Sequence, residues 1–252
     1  MDSYDEQVDG QGGGRAHGQR LNQFFDKVGP EGLQRREKQI RRLIHQNGIA
    51  FSSYGDAAVR ARHLQLDPVP HLIPAKEWRS VDAALKQRAT LLNAMLEDLY
   101  GPKTLLQSGV IPQEALFRHP HFHTPYHDLP RVGQRHLHFY AAELFHSPDG
   151  KWWVQADRTD SPGGWGFALE NRLAVSRAFP SEFRRNNVQR LAPFFIAMRK
   201  QVARFAPHGQ ANPHIAILSS GTGSKIYFED SYLARYLGFT LVEANDLVVR
   251  AG

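Results

Sequence analysis

The chain has 252 residues, of which 41% are hydrophobic and 22% charged, and its formal net charge is +6. This length and composition are typical of a globular protein with one large domain or two modest ones. The absence of cysteine excludes disulfides and thiolate metal sites, and the sequence shows neither a signal-peptide pattern nor an apolar run long enough to cross a membrane. We therefore expect a cytoplasmic protein that does not bind membranes.

The first predicted elements lie before residue 75. Residues 1–20 are Gly-rich and polar, which predicts a disordered tail. Apolar residues at helical spacing predict a helix over residues 34–46, and Asn47-Gly48 would cap its C-terminus. A short strand is predicted over residues 49–54, and the prolines that follow favour an extended, irregular connection.

The clearest helix is predicted from Glu77 to Tyr100, where Gly101-Pro102 would stop it. Apolar residues recur along it at three- and four-residue steps, and we interpret this stripe as core packing and not as a binding surface. The stripe consists of Trp78, Val81, Leu85, Leu92, Met95 or Leu96, and Leu99.

A β-hairpin is predicted after this helix. Residues 136–146 and 151–157 have the alternating pattern of strands, and the sequence Ser-Pro-Asp-Gly joins them. Gly150 can adopt the positive φ that such a turn requires. The two segments are therefore expected to pair as antiparallel strands.

The last third of the chain predicts an α/β arrangement. A glycine-rich loop leads into a helix, and a second helical region is interrupted near Pro193. Residues 214–250 then alternate strand, helix and strand, which predicts a parallel βαβ unit. We predict a mixed α/β (α+β) fold with a disordered tail over residues 1–20, a helical and β-hairpin part over residues 21–185, and an α/β segment over residues 186–252.

Histidines are concentrated between residues 119 and 138. Alternate histidines on a strand share a face, so His121 and His123, or His136 and His138, are candidate ligands for a divalent metal. Solvent-exposed histidines in a proline-rich loop explain the same pattern more simply, because no His-Glu-x-x-His helix accompanies them.

Two glycine-rich loops are candidate anion sites. The first, from Asp157 to Gly166, follows a predicted strand and combines backbone N–H groups with the guanidinium of Arg158. A structural connection in which Asp160 or Ser161 caps the next helix explains it equally well. The second, Ser219–Ser224, lies between a strand and a helix but lacks the complete glycine pattern of a nucleotide-binding loop.

Six segments, taken in order, resemble the circularly permuted type 2 ATP-grasp proteins, bacterial relatives of glutathionylspermidine synthase. The resemblance covers about residues 35–250. The segments are RREKQIRRLIHQNGIAFSSY, LDPVPHLIPAKEWRSVDAALKQRATLLNAMLEDLYGP, LLQSGVIP, DGKWWVQADRTDSPGGWGFALENRLAVSRAFPSEF, NVQRLAPFF and SSGTGSKIYFEDSYLARYLGFTLVEANDLVVR.

This resemblance implies an ATP-grasp-type lobe that contains the hairpin, followed by the start of a Rossmann-like pre-ATP-grasp domain. It also implies an ATP-dependent carboxylate–amine ligase that uses ATP and Mg²⁺ and acts on a small carboxylate and amine or on a peptide. Phosphorylation of the carboxylate would give an acyl phosphate, from which the amine displaces phosphate.

The resemblance also assigns site residues. Where members with an intact metal site have Glu-Asp-Asn, this chain has Ala156-Asp157-Arg158. Asp157 and Arg158 are therefore the candidate catalytic residues, with Glu143 as a candidate metal ligand. The candidate substrate-binding residues are Asp160, Ser161, Gly163, Gly164, Asn171, Ser219, Gly221, Thr222, Gly223, Tyr227 and Glu229.

Members of the family continue well beyond a segment like DLVVRAG, into the region expected to supply the ATP-binding lysines. We therefore expect this chain to be the N-terminal portion of a ligase, inactive without the missing C-terminal ATP-binding half or a partner chain. The alternative is a non-catalytic anion- or peptide-binding module with a degenerate metal site. Nucleic-acid binding is motivated by the net charge alone and is disfavoured, because the chain lacks the aromatic and basic motifs of known RNA-binding modules.

Overall fold

The computed structural model describes residues 4–51, 62–127, 129, 135–206 and 211–250. Its α-helices are α1 (Gln19–Gln46), α2 (Ala75–Leu99), α3 (Thr104–Gln107), α4 (Gln113–Phe117), α5 (Trp165–Ala178), α6 (Pro180–Arg185), α7 (Ala192–Ala203) and α8 (Tyr227–Leu237). Its strands are β1 (Ala50–Phe51), β2 (Arg62–His63), β3 (Ala141–His146), β4 (Trp152–Arg158), β5 (Ala216–Ser219) and β6 (Thr240–Glu243). The predicted mixed α/β fold is confirmed.

The chain divides into two compact units. The hairpin unit comprises Ile73–Pro162 together with Tyr4, and the α/β unit comprises Asp5–Leu72 and the residues from Gly163 onward. The α/β unit is therefore built from two separate stretches of sequence. This division differs from the predicted boundary between residues 185 and 186.

In the hairpin unit, α2 carries the predicted apolar stripe. The helix begins after Pro74, whose fixed φ suits a helix start, and ends at Leu99 before the Gly-Pro pair. Val81 is buried, the leucines and the methionine of the stripe are half-buried, and Trp78 is exposed. The stripe is therefore only partly buried, with Val81 as its fully buried residue.

Strands β3 and β4 form the predicted antiparallel hairpin. Gly150 in the connecting turn has φ 79°, and its N–H donates to the carbonyl oxygen of Ser147 at 2.8 Å. Strand β3 starts at Ala141, later than the predicted start at residue 136. The register shifts between Glu143 and Leu144, so that one residue of β4, Gln155, has no partner on β3.

In the α/β unit, α1 is longer than predicted. It begins at Gln19 and kinks at Gly29-Pro30, where Gly29 has φ 65°. The helix predicted over residues 34–46 does not include the first half of α1, and Gly29-Pro30 is locally a pattern typical of a helix end. The kinked helix packs its second half against α5, and the core there consists of Ile40, Ile44, Ile49, Ala174, Ala178 and Phe179.

The predicted βαβ unit is confirmed. Strands β5 and β6 pair in parallel, with Ala216 opposite Thr240, and α8 lies between them in sequence. Gly238 ends α8 with φ 72°, the left-handed conformation that a helix C-terminus often requires. Tyr232, Leu233 and Leu237 of α8 are buried.

The N-terminal segment and the first strand differ in detail from the predictions. Residues 5–18 form a compact turn with a bridge between Val8 and Gly14, in contrast to the predicted tail. Strand β1 pairs antiparallel with β2, and the rest of the strand predicted over residues 49–54 lies outside the described residues. None of the helices in the described ranges is long and apolar enough to span a membrane.

Candidate functional site

The unpaired residue Gln155 forms a β-bulge in the hairpin. This bulge determines which side of the hairpin the charged residues of β4 face. Trp152 lies on the side of β4 that faces α2, because its indole N–H donates to Glu77 of that helix. Asp157 is five residues later, and in a regular strand it would point to the opposite side. The extra residue Gln155 reverses the alternation, so that Asp157 also faces α2.

On the α2 side, Asp157 is held by two partners. Arg88 of α2 donates from Nε to Oδ1 and from Nη2 to Oδ2, each at 2.6 Å, and the Tyr140 hydroxyl donates to Oδ1 at 2.7 Å. The hydrogen bond from Arg88 holds the pKa of Asp157 below its usual value, against the opposing effect of burial. Burial and the hydrogen bond to Asp157 raise the pKa of Tyr140 to about 12. Asp157 is therefore an anchored, ionised carboxylate at neutral pH.

On the outer side of the hairpin, Arg158 pairs with Glu143. The Arg158 Nε atom donates to Glu143 Oε1 at 2.8 Å across the two strands. The side chains are 60% and 47% exposed, so the guanidinium keeps most of its contact with solvent. Arg158 thus presents an oriented positive charge at the end of β4.

The predicted metal ligands do not converge. Glu143 and Asp157 lie on opposite sides of the hairpin, and each carboxylate is already paired with an arginine. Within the described ranges, no group of three or more His, Asp or Glu side chains is arranged to hold a metal ion, and this includes the described histidines between residues 119 and 138. These residues therefore do not fit a Mg²⁺ site built on Glu143 and Asp157.

In the α/β unit, the side chain of Glu229 from α8 lies at the N-terminus of α5. Its buried carboxylate accepts hydrogen bonds from the backbone N–H groups of Gly164 at 2.8 Å and Gly166 at 3.0 Å. A Cβ atom at Gly163 would lie 3.1 Å from Glu229 Oε2, so glycine permits the close approach. The N–H groups predicted to bind a substrate anion are thus satisfied by a carboxylate of the protein itself.

The loop after β5 is also partly closed by internal bonds. The Ser219 hydroxyl accepts from the Gly221 N–H at 3.2 Å and donates to Asp230 at 2.8 Å. A Cβ atom at Gly221 would lie 3.2 Å from a carboxylate oxygen of Glu243, and this charge opposes an anion there. Thr222 and Gly223 remain exposed at the tip of the loop.

The remaining predicted site residues take no part in these contacts. Asp160 and Ser161 are exposed in the hairpin unit, and Ser161 has φ 46°, a strained value for a residue other than glycine. Asn171 is exposed on α5, and Tyr227 is half-buried at the start of α8. Of the predicted site residues, the structure therefore brings together Glu229 with Gly163 and Gly164, Ser219 with Gly221, and Arg158 with Glu143.

Comparison with known protein families identifies the family of the chain. The family model described as "Circularly permuted ATP-grasp type 2" matches residues 70–252, which is more than half of the chain. The chain belongs to the circularly permuted ATP-grasp type 2 family. The predicted family membership is thus confirmed.

Three uncharacterized proteins illustrate how the ATP-grasp chain relates to its relatives. A Mycobacterium bovis protein is 36% identical over 257 residues, which cover 99% of this chain and 29% of the relative. A Synechocystis protein is 30% identical, with 99% and 52% covered, and a Mycobacterium leprae protein is 30% identical, with 98% and 44% covered. The chain spans about half or less of the length of these relatives.

Sequence reasoning missed two residues of this ATP-grasp hairpin, Arg88 and Tyr140. A signal for Arg88 was present, because the apolar stripe of α2 skips from Leu85 to Leu92 and Arg88 occupies the helical position between them. A cation in the middle of a packing face indicates a buried or half-buried anion opposite. Tyr140 lies just before β3, and no sequence spacing links it to Asp157.

Proposed function

We propose that the chain forms part of an ATP-dependent carboxylate–amine ligase, in which the hairpin supplies a fixed positive charge to an anionic reactant. The observation that carries the proposal is the position of Arg158 in a chain of the ATP-grasp family. Its guanidinium is exposed and oriented by Glu143 at the end of β4. Nε and Nη2 of this guanidinium each donate to Glu143 Oε1, and the other N–H groups of Nη1 and Nη2 can bind a carboxylate or phosphate.

The chemistry proposed for the complete ligase has two balanced steps. A carboxylate oxygen attacks the γ-phosphorus of ATP, which forms an acyl phosphate and releases ADP. An amine nitrogen then attacks the acyl carbon and expels phosphate as the amide forms and the amine loses a proton. Arg158 stabilises negative charge on the carboxylate or on the transferred phosphoryl group, and Asp157 anchors the end of β4 through Arg88.

We also propose that this chain does not complete the nucleotide site by itself. The matched region makes up 29% of the Mycobacterium bovis relative and 52% of the Synechocystis relative, which supports a remainder that supplies ATP-binding lysines. That remainder would be a continuation of the same polypeptide or a partner chain. Because ATP is the reactant, we place the complete enzyme in the cytoplasm.

Calorimetry and an acyl-phosphate trap test the proposal. The chain is titrated with Mg-ATP alone and after co-purification with the part of the Synechocystis relative that follows the matched region. We expect micromolar binding only in the combined sample. The combined sample is then incubated with ATP, hydroxylamine and a panel of amino acids and dicarboxylates. A hydroxamate that forms together with ADP is the expected result.

Two matched variants test whether the reaction requires the positive charge of Arg158. Arg158→Gln is expected to lower hydroxamate formation about 100-fold, since removal of one preorganised group that stabilises developing charge has roughly this effect. Arg79→Gln on exposed α2 surface removes the same charge and should leave the rate unchanged. Micromolar binding of Mg-ATP by the chain alone would contradict the incomplete nucleotide site. ATP binding without any hydroxamate in the combined sample would contradict the ligase.

The second candidate is an anion- or peptide-binding module without turnover. It is favoured by one observation: Glu143 and Asp157 face opposite sides of the hairpin, each paired with an arginine. Such a module binds its ligand equally well with Mg²⁺ or with EDTA. Loss of ligand binding in EDTA would exclude it.

A further inference from the structure

A cleft in the α/β unit, far along the sequence from the hairpin residues, has the composition of an anion site. It has a cavity of about 500 Å³ between the first half of α1 and the short helix α6. That volume lies within the range of about 300–1,000 Å³ that is usual for small-molecule pockets. The family assignment and the proposed ligase chemistry give this cleft no role.

Three cations line the cleft against one carboxylate. Arg20 and Lys27 come from α1, and Arg185 comes from the end of α6. The single acid, Glu182, is buried and already accepts a hydrogen bond from the Ser181 hydroxyl at 2.6 Å. Arg185 lies 3.7 Å from the other oxygen of Glu182, and its side chain remains 73% exposed. The lining therefore keeps an excess of positive charge that points into solvent.

The fold holds at least one of these cations in place, through a hydrogen bond between α1 and α6. Arg20 donates from Nη1 to the backbone carbonyl of Arg185 at 3.0 Å, which links α1 to the end of α6. The kink at Gly29 follows Lys27 by two residues and ends the first part of α1 at the edge of the cleft. An arginine already oriented by a backbone bond loses less freedom when it binds a ligand.

The wall of the cleft adds an apolar surface. Phe24 and Val28 line it, and the guanidinium carbon of Arg36 lies 4.9 Å from the centre of the Phe24 ring. The Nε atom of Arg36 is buried and has no hydrogen-bond partner among the described residues. This fourth cation adds to the positive potential near the ring, and Phe24 gives the lining a non-polar surface.

We propose that the cleft between α1 and α6 binds a small, multiply charged anion with phosphate or carboxylate groups. Arg20, Lys27 and Arg185 bind the charged groups, and Phe24 contacts the remainder of the molecule. A single monovalent anion would leave both the volume and two of the three cations unused. The site is independent of the ligase proposal, because it uses no residue of the hairpin or of the two glycine loops.

Two probes and two variants test the site. The full chain is titrated calorimetrically with pyrophosphate and, separately, with citrate, at 50 and 200 mM salt. Lys27→Gln removes a cation of the cleft, and Lys38→Gln removes an equal charge from the exposed second half of α1. We expect saturable binding of at least one probe, weakened about tenfold by Lys27→Gln and unchanged by Lys38→Gln.

Each outcome has a defined meaning. Binding of pyrophosphate alone assigns the site to phosphate groups, binding of citrate alone assigns it to carboxylates, and binding of both shows selection by charge. Equal weakening by the two variants would overturn the proposal, since it indicates general attraction to a basic protein. The absence of saturable binding of both probes at 50 mM salt would overturn it as well. Thermal unfolding of each variant checks that the fold is retained.

Discussion

At the scale of single residues, Asp157 is expected to make stability depend on pH. Its pKa in the folded protein is lowered by Arg88, so its charge stabilises the fold above the unfolded pKa of about 3.9. This contribution is lost as the pH falls through the lower, folded pKa. We predict that Asp157→Asn lowers the urea midpoint at pH 7 and that the difference from wild type closes below about pH 4.

A double-mutant cycle isolates the pair. Arg88→Gln, Asp157→Asn and the combined variant are compared by urea unfolding at pH 7 and at a series of lower pH values down to about pH 2. We expect the coupling between the two positions to be complete at pH 7 and to decrease progressively as the pH falls below about 3.9 and through the lower, folded pKa. Equal coupling over the whole series would show that the ionised pair is not the cause.

Glu229 offers a second residue-scale prediction. Its buried carboxylate satisfies two N–H groups at the start of α5, and each unsatisfied buried donor costs roughly 1–3 kcal/mol. We expect Glu229→Ala to lower the free energy of unfolding by about 3 kcal/mol and Glu229→Gln, which keeps one oxygen acceptor, by less. Glu31→Gln at a fully exposed position serves as the control and should change it by under about 0.5 kcal/mol. Urea denaturation measures all three, and an unchanged Glu229→Ala protein would refute the capping role.

The residue scale also shows what the sequence could predict of the site. The sequence placed Glu229, Gly163 and Gly164 among substrate-binding residues. The structure brings them together within the protein, because Glu229 accepts a hydrogen bond from Gly164 and approaches Gly163 closely. Residue type and loop context identify groups that can bind an anion. They do not show whether the anion is a ligand or another side chain, because that depends on contacts between residues 63 or more positions apart.

At the scale of elements, the bulge in β4 is expected to be essential. Deletion of Gln155 would restore regular pairing and exchange the sides of Asp157 and Arg158, so that Arg158 would face Arg88. Two arginines would then meet without a carboxylate between them. We predict that the deletion abolishes protection of the β3–β4 amides in hydrogen exchange. Gln155→Ala keeps the bulge and should preserve protection, and protected amides in the deletion variant would contradict this role of the bulge.

Most helices and strands were predictable from the sequence, because most of them depend on local patterns. Helix α2 and the turn at Gly150 follow from local spacing and from the conformational freedom of glycine, which require no distant partner. The first half of α1 was missed because Gly29-Pro30 is locally a stop signal. In the structure, α1 is helical on both sides of the kink, and it packs against α5 and α6 of the same unit. The bulge was missed because alternation in one strand carries no information about its partner.

At the scale of the whole molecule, exposed apolar side chains are expected to cause self-association. Leu218 on β5 is 61% exposed, and Val248 and Val249 after β6 are 75% and 101% exposed. Large apolar side chains with this degree of exposure favour association in water. We predict that the sedimentation coefficient rises with concentration between about 5 and 200 μM, and that Val249→Lys weakens this rise. Val110→Lys, which adds the same charge to an exposed valine of the hairpin unit, is the control. A concentration-independent monomer would contradict the prediction.

The division of the α/β unit into two stretches of sequence has a consequence for biosynthesis. Ile40 and Ile44 pack against Ala174 and Phe179, so their apolar side chains lack these native partners when they leave the ribosome. At a bacterial rate of about 15 residues per second, the ribosome takes several seconds to reach α5. The hairpin unit is complete in sequence before that point and can fold first. During this interval the nascent α1 presents an apolar face that a chaperone can bind, and we expect folding to proceed from the middle of the chain outward.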